Sequence, residues 1–415
     1  MRALSGRMAQ RMVLKLENRG PAALERVEKQ VRKIVQEVRK QGERALRRYA
    51  EKWDGLAPRQ NFQVSQEEME AAWQASSDEF KQALKVAAEN IRRYCEWQRP
   101  GEWRRSAMNG VHAGQIVRPL QSVGCYVPGG RYPLPSTVLM TVIPAQVAGV
   151  REIRVVSPRP PRETLAAAHF LQVREFFRIG GAQAIAALAY GTKAVMRVEK
   201  IVGPGNLFVT AAKKLVAFDR AIDFLAGPTE VLIFSEHGRP RFIAADLVAQ
   251  AEHDPDALAV FITSSSELAK AVSVELAQAA AENPIARQSL KTNGLILVAS
   301  SHEEAIDFAN RIAPEHITID EEDLPQIRNA GSIFIGDYSP QAAGDYAAGP
   351  NHVLPTGGVA RVRGGLSVLD FVKLVSVQHL SREGLDQLAP AVTTLARAEG
   401  LAAHAESIQV RCAHA

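Results

Sequence analysis

Two side chains that can ligate a divalent metal lie three residues apart, at Gln250 and His253. They stand in the segment AQAEHDPD, at the end of a helical pattern, so they share one face of the predicted helix. The carbonyl oxygen of glutamine and a ring nitrogen of histidine both suit zinc and similar metals. The spacing predicts a metal site, with a polar helix end facing solvent as the alternative.

A carboxylate and an imidazole are adjacent at Glu315 and His316, directly after Pro314. Because Pro314 ends the preceding helical pattern, both side chains are predicted to stand where a helix passes into a strand. An imidazole beside a carboxylate suits proton transfer near neutral pH. These two residues are therefore a candidate acid–base pair, although an ordinary polar loop fits the local pattern too.

The densest polar cluster is the segment 344–356, GDYAAGPNHVLPT, which contains Asp345, Tyr346, Asn351 and His352. Its glycines and prolines predict a loop, and such a loop is typical of binding sites. A solvated surface loop fits the composition equally well. Further along, Glu399 and His404 lie five residues apart on one predicted helical stretch, a spacing that by itself indicates little.

Three glycine-rich turns follow predicted strands, while the dinucleotide fingerprint GxGxxG is absent. The turns are residues 127–130 (VPGG), 179–183 (IGGAQ) and 203–206 (GPGN). Small residues at the carboxyl ends of parallel strands let a ligand approach the backbone, and the following helix N-termini attract phosphate. Each turn alone is a weak signal, because strand-to-helix turns commonly need glycine.

The elements that must position these side chains alternate between strand and helix. One strand–turn–helix run covers residues 122–217 and a second covers 231–335, whereas 21–98 and about 368–407 have helical patterns. Such alternation predicts parallel sheets covered by helices. We therefore predict an α/β fold with two Rossmann-like parallel-sheet domains that lack the usual fingerprint, plus small helical terminal segments.

The predicted division of the chain has four parts. They are a helical arm at residues 1–20, a discontinuous first α/β domain at 21–124 and 231–367, a second α/β domain at 125–230, and a C-terminal helical segment at 368–415. A transit-like peptide is the alternative for the basic first 20 residues.

Composition excludes several classes of protein. The 415 residues are 46% hydrophobic and 23% charged, as in globular proteins and unlike disordered or fibrous ones. Three distant cysteines, Cys95, Cys125 and Cys412, without a CxxC pair exclude a disulfide scaffold and a cysteine-rich zinc finger. No apolar run reaches the length of roughly 18 residues that a membrane-spanning helix needs.

The formal charge of +5 raises the possibility of a polyanion-binding protein. The basic excess lies mainly between residues 26 and 48, where acidic residues stand three or four places from many of the bases. That spacing, with an apolar stripe from Leu24 to Tyr49, is typical of an amphipathic helix with a solvated face. The pattern therefore favours no nucleic-acid partner, and polyanion binding remains the alternative from a different class.

Six segments together resemble the histidinol dehydrogenase family. They are 122–149 (SVGCYVPGGRYPLPSTVLMTVIPAQVAG), 203–214 (GPGNLFVTAAKK), 226–232 (AGPTEVL), 246–256 (DLVAQAEHDPD), 313–316 and 343–356. The resemblance extends from about residue 20 to His404. It implies a cytoplasmic enzyme that oxidises L-histidinol through histidinaldehyde to L-histidine in two NAD-dependent steps, with one zinc per site.

The resemblance also implies roles for individual residues. The family's zinc ligands match Gln250, His253, Asp345 and His404, of which the last comes from the partner subunit of a homodimer whose helical terminal segments are exchanged. His316 matches the general base and Glu315 the residue that activates water in the second step. Substrate contacts match Thr229, Gln250, His253, His316, Asp345, Tyr346, His352, Glu399 and His404, and NAD contacts match Tyr126, Gln183 and Asn206.

Two positions depart from the family pattern. Thr229 stands where serine is common, and Arg131 follows Gly129-Gly130 where many members have small residues. An arginine near the cofactor turn would suit an anionic substrate, so a dehydrogenase of another small alcohol, such as a sulfopropanediol, is the alternative within the family. His352 and Glu399, with the acid–base pair, match the histidinol-specific set and favour histidinol.

Overall fold

The computed structural model describes residues 1–19, 22–129 and 132–412 of the chain. Arg131, with its predicted effect on substrate range, lies outside these residues. In the described part of the chain, no helix is long and apolar enough to cross a membrane.

A five-stranded parallel sheet lies in the first half of the chain. Its strands and helices are β4 (Ser122–Tyr126), α6 (Pro135–Ala148), β5 (Glu152–Val156), α7 (Arg162–Phe170), β6 (Glu175–Phe177), α8 (Gly181–Tyr190), β7 (Lys200–Val202), α9 (Leu207–Val216) and β8 (Ala221–Ile222). The strand order is β6-β5-β4-β7-β8. The predicted alternation of strands and helices is confirmed here, because short apolar strands are buried between helices on both faces.

A six-stranded parallel sheet follows. Its elements after the first sheet are β9 (Glu230–Phe234), α10 (Pro240–Ala251), β10 (Leu258–Thr263), α11 (Ser266–Ala279), α12 (Pro284–Thr292), β11 (Leu295–Val298), α13 (His302–Ile312), β12 (His316–Ile319), β13 (Ser332–Ile335) and α14 (Gln341–Tyr346). The sheet order is β1-β11-β10-β9-β12-β13, in which β1 is the N-terminal strand Arg2–Ser5. Alternate residues of β9 enter the apolar clusters on opposite faces of the sheet.

The first 119 residues contribute mainly helices. After β1 come α1 (Gly6–Glu17), α2 (Ala22–Gln41), α3 (Glu43–Tyr49), a π-helical turn (Ala50–Asp54), α4 (Gln66–Gln74), α5 (Asp78–Trp97), β2 (Trp103–Met108) and β3 (Val111–Pro119). The predicted amphipathic helix is confirmed in α2, where Val31, Ile34 and Val38 are buried while Arg32 pairs with Glu28. The arm predicted at 1–20 is helical in α1, but residues 2–5 form an edge strand that pairs with β11.

The C-terminal segment is not wholly helical, contrary to the prediction for 368–415. It contains β14 (Val372–Leu380), α15 (Arg382–Ala398) and α16 (Ala402–Cys412), and β14 pairs antiparallel with β3 in a three-stranded sheet with β2. The run Val372–Val377 is rich in β-branched residues, which explains its preference for a strand. Short 3-10 turns occur at Glu321–Gln326, Val359–Arg361 and Val368–Phe371.

Packing of the N-terminal helices differs from the predicted grouping of 21–124 with 231–367. Helix α2 contacts α8 and α9, α4 contacts α7, and α5 contacts α6, so these helices cover the five-stranded sheet. Residues of α4, α5 and α6 share one apolar cluster with β4. Sequence pattern does not reveal which sheet a helix covers, because the apolar stripe indicates a buried face and not its partner.

The carboxyl edge of the five-stranded sheet faces the amino edge of the six-stranded sheet. Tyr126 and Val202 end β4 and β7 at the carboxyl edge of the five-stranded sheet, whereas Glu230 and His316 begin β9 and β12 at the amino edge of the six-stranded sheet. Ligand sites of open α/β sheets form outside the carboxyl ends of the strands, where the strand order reverses. Here β4 and β7 flank that position, and it is the region in which the candidate site residues gather.

Candidate active site

The candidate acid–base residues stand where the chain enters β12, next to the start of β9. His316 opens β12, which pairs in parallel with β9, and Glu315 therefore lies beside Thr229 and Glu230. Glu315 Oε2 accepts a hydrogen bond from the Thr229 hydroxyl at 2.7 Å and from the Glu230 backbone N–H at 2.8 Å. The helix-to-strand junction predicted from Pro314 is confirmed, since α13 ends at Ile312.

His316 is held between two carboxylates and a carbonyl. Its Nδ1 lies 3.2 Å from the Glu230 carbonyl oxygen and 3.6 Å from Glu315 Oε2, while its Nε2 lies 3.3 Å from Asp345 Oδ1. A carbonyl oxygen can only accept, so Nδ1 is the donor in that contact. Glu315 and His316 are only 6% and 3% exposed, so the pair is screened from bulk water.

Burial and proximity shift the protonation of this pair. Burial raises the pKa of Glu315 to about 7, although His316 and the Thr229 hydroxyl oppose the shift. Burial lowers the pKa of His316, but Glu315 and Asp345 more than offset it and bring that pKa to about 9. With these pKa values Glu315 gives up its proton near pH 7 and His316 near pH 9, so both groups can accept a proton at mildly alkaline pH.

Three of the four predicted metal ligands line the same cavity as the acid–base pair. Gln250 is in the last turn of α10, His253 lies just beyond the end of that helix, and Asp345 is on α14. Gln250 Nε2 donates a hydrogen bond to the Thr229 hydroxyl, which leaves Oε1 of that amide available as a ligand atom. Burial alone would raise the pKa of Asp345. The nearby His316, His352 and His253 outweigh burial, so the pKa lies below its usual value.

The segment 344–356 contributes several residues to the lining of this cavity, which has a volume of about 190 Å³. Asp345 and Tyr346 lie on the short helix α14, so this part of the predicted loop is helical. His352 Nδ1 donates to the Asp345 carbonyl oxygen at 2.7 Å, and its Nε2 lies 3.3 Å from the Thr137 hydroxyl. Asn351 has a structural role, because its amide donates to the Met140 carbonyl oxygen at 2.6 Å.

Glu399 and His404 lie apart from the cavity within this chain. Glu399 follows α15 and His404 is on α16, where both side chains are exposed and do not line the cavity. In the described residues, no three His, Cys, Asp or Glu side chains are arranged to hold a metal ion. Of the four predicted metal ligands, the cavity therefore contains His253, Asp345 and the amide of Gln250.

The three predicted cofactor residues line a second pocket, of about 320 Å³. The Tyr126 hydroxyl accepts a hydrogen bond from the Gly181 N–H at 3.0 Å, and burial raises the pKa of Tyr126. Gln183 Nε2 donates to Asp54 Oδ2 at 3.0 Å. Asn206 caps α9 by accepting from Phe208 and Val209 N–H groups, so it stands where a helix N-terminus opens into the pocket.

Sequence reasoning missed several residues that support these sites. Asp54 accepts hydrogen bonds from Gly180 and Gln183 although it lies 129 residues from Gln183 in sequence. Thr137 reaches His352 across 215 residues. Local patterns cannot signal such contacts, because they arise only when distant segments pack together. Glu230 was overlooked as well, although it directly follows Thr229 in the predicted motif 226–232.

Known proteins of one family are similar to this chain over most of its length. The histidinol dehydrogenase family profile matches residues 17–412. A histidinol dehydrogenase from Methanothermobacter thermautotrophicus is 48% identical over 91% of this chain and 92% of its own length. One from Syntrophotalea carbinolica is 47% identical over 95% of this chain and 94% of its own.

Solved structures extend the comparison to the fold. The crystal structure of histidinol dehydrogenase from Elizabethkingia anophelis covers 99% of this chain and 98% of its own, with a TM-score of 0.94 and 34% identity. An acetylating aldehyde dehydrogenase from Geobacillus thermoglucosidasius, at 15% identity and a TM-score of 0.50, shares the fold alone. The matching profile, the sequence identity and the superposable fold together show that this chain belongs to the histidinol dehydrogenase family.

Proposed function

We propose that this chain oxidises L-histidinol through histidinaldehyde to L-histidine, and that it uses NAD in both steps and one zinc per site. The observation that carries the proposal is the gathering of Glu315, His316, Gln250, His253 and Asp345 around one cavity in a chain of this family. The proposed substrate has an imidazole, an amino group and a primary alcohol, all of which can bind to such a polar cavity.

The donor set around the cavity fits zinc in part within one chain. Gln250 Oε1, His253 and Asp345 offer nitrogen and oxygen donors, which suit zinc without any thiolate. We propose that His404 of a second subunit completes the set. When bound there, zinc would supply positive charge that orients the imidazole and amino groups of the substrate.

The chain's own side chains divide the proton transfers. His316 takes the hydroxyl proton during the first oxidation, and Nε2 is the atom that faces Asp345 and the cavity. Glu315 takes a proton from the water that adds to the aldehyde before the second oxidation. Burial of both residues limits competing contact with bulk water. Tyr346, His352 and Thr229 contact substrate in this proposal, with Glu399 of the second subunit.

In this proposal NAD accepts the hydride. It binds in the second pocket and contacts Tyr126, Gln183 and Asn206 there. The three glycine-rich turns support this placement, because each contributes to the lining of the pocket, through Gly129, Gly181 and Asn206. Numbered along the chain, the strands of the five-stranded sheet follow the order 3-2-1-4-5. The strands β9 to β13 of the six-stranded sheet follow the same order, with β1 added at one edge, which supports a Rossmann-like description of each sheet.

A homodimer is part of the proposal. The C-terminal segment exposes Leu374, Leu395, Leu401 and Val410 by 43% or more, which is an unusual amount of apolar surface for a free face. Coverage by a second copy would bury this surface and bring Glu399 and His404 to the other subunit's cavity.

Cytoplasmic location is proposed from the biosynthetic role, and buried, unpaired Cys95 and Cys125 are in line with it.

The test is NADH formation by the purified protein. With L-histidinol we expect two NADH per histidine, from the stoichiometry of a four-electron oxidation, and loss of activity after chelation with recovery on adding zinc. A panel of small alcohols that includes a sulfopropanediol is assayed alongside. Absence of NADH with histidinol, or faster NADH formation with another alcohol, would refute the proposal.

A further inference from the structure

Glu230 contacts both members of the acid–base pair through its backbone. Its N–H donates to Glu315 Oε2 at 2.8 Å, and its carbonyl oxygen accepts from His316 Nδ1 at 3.2 Å. The position of one peptide segment therefore sets the position of both catalytic groups. Any displacement of Glu230 would move Glu315 and His316 relative to the cavity.

The Glu230 side chain is held by Arg19, a residue 211 positions earlier in the chain. Arg19 Nε and Nη2 donate to the two carboxylate oxygens of Glu230 at 2.7 Å each, which is the bidentate geometry of a strong ion pair. The Arg19 and Glu230 side chains are only 16% and 6% exposed. Gly357 N–H donates to Glu230 Oε1 at 3.0 Å, so the segment after His352 meets the same carboxylate.

Arg19 also holds the chain that leads into Glu315. Its Nη1 donates to the Ile312 carbonyl oxygen at 2.6 Å, and its Nη2 donates to the Ala313 carbonyl oxygen at 3.3 Å. Ala313 has a φ of +49°, a left-handed conformation that a residue with a Cβ adopts at a cost. The guanidinium thus stabilises the unusual turn that ends α13 and delivers Glu315 to the site.

We infer that Arg19 and Glu230 are positioning residues for the acid–base pair. They hold the entries to β9 and β12 at a fixed separation, and they keep His316 Nδ1 on a carbonyl so that Nε2 faces the cavity. The inference rests on the proposed function, because it assigns His316 and Glu315 their roles in the reaction. It extends that function to an arginine outside the cavity, in the segment that follows α1.

A purely stabilising ion pair predicts a different outcome from a positioning one. Loss of a stabilising pair lowers the melting temperature and the folded fraction, while each folded site keeps its turnover number. Loss of a positioning pair lowers kcat per folded site, because misplacement of catalytic groups by about 1 Å costs up to roughly 100-fold in rate. The KM values for histidinol and NAD depend on other contacts and should change little.

The experiment compares Arg19→Met, Arg19→Lys and Glu230→Gln in the full-length enzyme, with Arg311→Met as the matched control. Arg311 Nε and Nη2 also join α13 to α1, through Glu17 at 3.0 and 2.8 Å, but they contact neither Glu230 nor the acid–base pair. We expect Arg19→Met to lower kcat by roughly 10–100-fold with KM values within about threefold, and Arg19→Lys to recover part of the loss. Arg311→Met should keep the wild-type kcat.

A spectroscopic measurement gives a readout that stability alone would not change. In protein labelled with 15N histidine, with the His316 signals assigned from a His316→Gln variant, we expect the Nδ1 signal of His316 to move in Arg19→Lys. If Arg19→Met does not fold, Arg19→Lys and Glu230→Gln decide the matter by the same measurements. Wild-type kcat and an unmoved His316 signal in folded variants would overturn the inference, whereas an inactive wild type would instead overturn the proposed function.

Discussion

The Thr229 hydroxyl joins the acid–base pair to a proposed metal ligand, since it donates to Glu315 Oε2 at 2.7 Å and accepts a hydrogen bond from Gln250 Nε2. One hydroxyl thus uses both its donor and its acceptor capacity within the site. The added methyl group of threonine, relative to the serine common in the family, leaves this arrangement intact. Substitution by serine, which removes only the methyl group, and by valine, which removes only the hydroxyl, can therefore separate the effects of the two groups on activity.

We predict that Thr229→Ser keeps activity and that Thr229→Val lowers it near neutral pH. The Thr229 hydroxyl lowers the pKa of Glu315, which burial has raised to about 7, so its removal raises that pKa further. Only the carboxylate form of Glu315 accepts the proton, so the rate of histidine formation in the wild type should increase as pH rises through about 7. In Thr229→Val the same increase should occur at higher pH. The kcat for histidine formation, measured against pH, checks this. An identical pH profile in Thr229→Val would contradict it.

A carboxyl on α10 should make the folding stability depend on pH. Burial, followed by the nearby Asp337 carboxylate, raises the pKa of Asp246 to about 6 from its ordinary 3.8. Because the pKa of Asp246 is higher in the folded than in the unfolded protein, the unfolded state loses this proton at lower pH. The free energy of unfolding therefore declines as pH rises from about 4 to about 6 and stays lower above that range. Asp337 itself is paired with Arg239 at 3.3 Å, whereas Asp246 forms no ion pair within the part of the chain that the structure describes.

Asp246→Asn should therefore raise Tm at pH 8 and leave it unchanged at pH 4. After allowance for solvent screening, we expect a gain of about 1 kcal/mol in unfolding free energy, or roughly 1–3 °C. Thermal unfolding followed by circular dichroism at the two pH values measures the effect. Asp307→Asn, which removes an exposed carboxylate near Arg311, serves as the control. A gain that is equal at both pH values would argue against ionisation as its cause.

The cofactor pocket yields a prediction at Asp54, whose buried carboxylate accepts hydrogen bonds from the Gly180 N–H and the Gln183 side chain. Asp54→Ala removes the acceptor that orients Gln183 and should raise the KM for NAD by roughly tenfold. The KM for histidinol should stay within about twofold, because the substrate cavity is separate. Steady-state kinetics and direct titration with NADH measure both. Asp54→Asn, which keeps an acceptor oxygen, should lie between alanine and wild type.

Local structure near the candidate site follows from the sequence more readily than the packing around it. Glu315 and His316 were placed at a helix-to-strand junction because Pro314 and the apolar run after it are local signals. The convergence of Gln250 and Asp345 came from the family resemblance, since no local pattern joins residues 95 positions apart. The strand at 2–5 and β14 were missed because edge strands form on a partner strand, which a single segment does not reveal. Arg19 was missed for the same reason.

A fully buried ion pair supports the third glycine-rich turn. Lys213 pairs with Asp223, and both side chains are 3% exposed or less. Lys213 Nζ donates to the Gly203 carbonyl oxygen at 3.0 Å, while Asp223 Oδ2 accepts from the Gly203 N–H at 2.8 Å. The pair therefore holds both backbone groups of the glycine that begins the turn.

Lys213→Met should lower the free energy of unfolding by about 3–5 kcal/mol, because it leaves the Asp223 carboxylate buried without its cation. The adjacent Lys214 is a matched control, since it forms a partly exposed pair with Glu28 at 2.9 Å. Lys214→Met should cost less than about 1 kcal/mol. Urea unfolding monitored by tryptophan fluorescence compares the two. Similar losses in both variants would show that burial of the pair is not the source of its contribution.

Shared sites can be tested by mixing inactive subunits. His316 lies in the cavity of its own chain, whereas His404 lies on an exposed face of α16 away from that cavity. If His404 serves the second subunit's site, the His316→Ala and His404→Ala proteins are each inactive as homodimers. In a heterodimer of the two, both defects fall in one site and the other site carries neither. Co-refolded mixtures should then regain activity and bound zinc, up to about one quarter of wild-type activity for random pairing of equal amounts. The control is a mixture of the two proteins refolded separately, which have not exchanged subunits. If the co-refolded mixture forms dimers but stays inactive, His404 belongs to the site of its own chain.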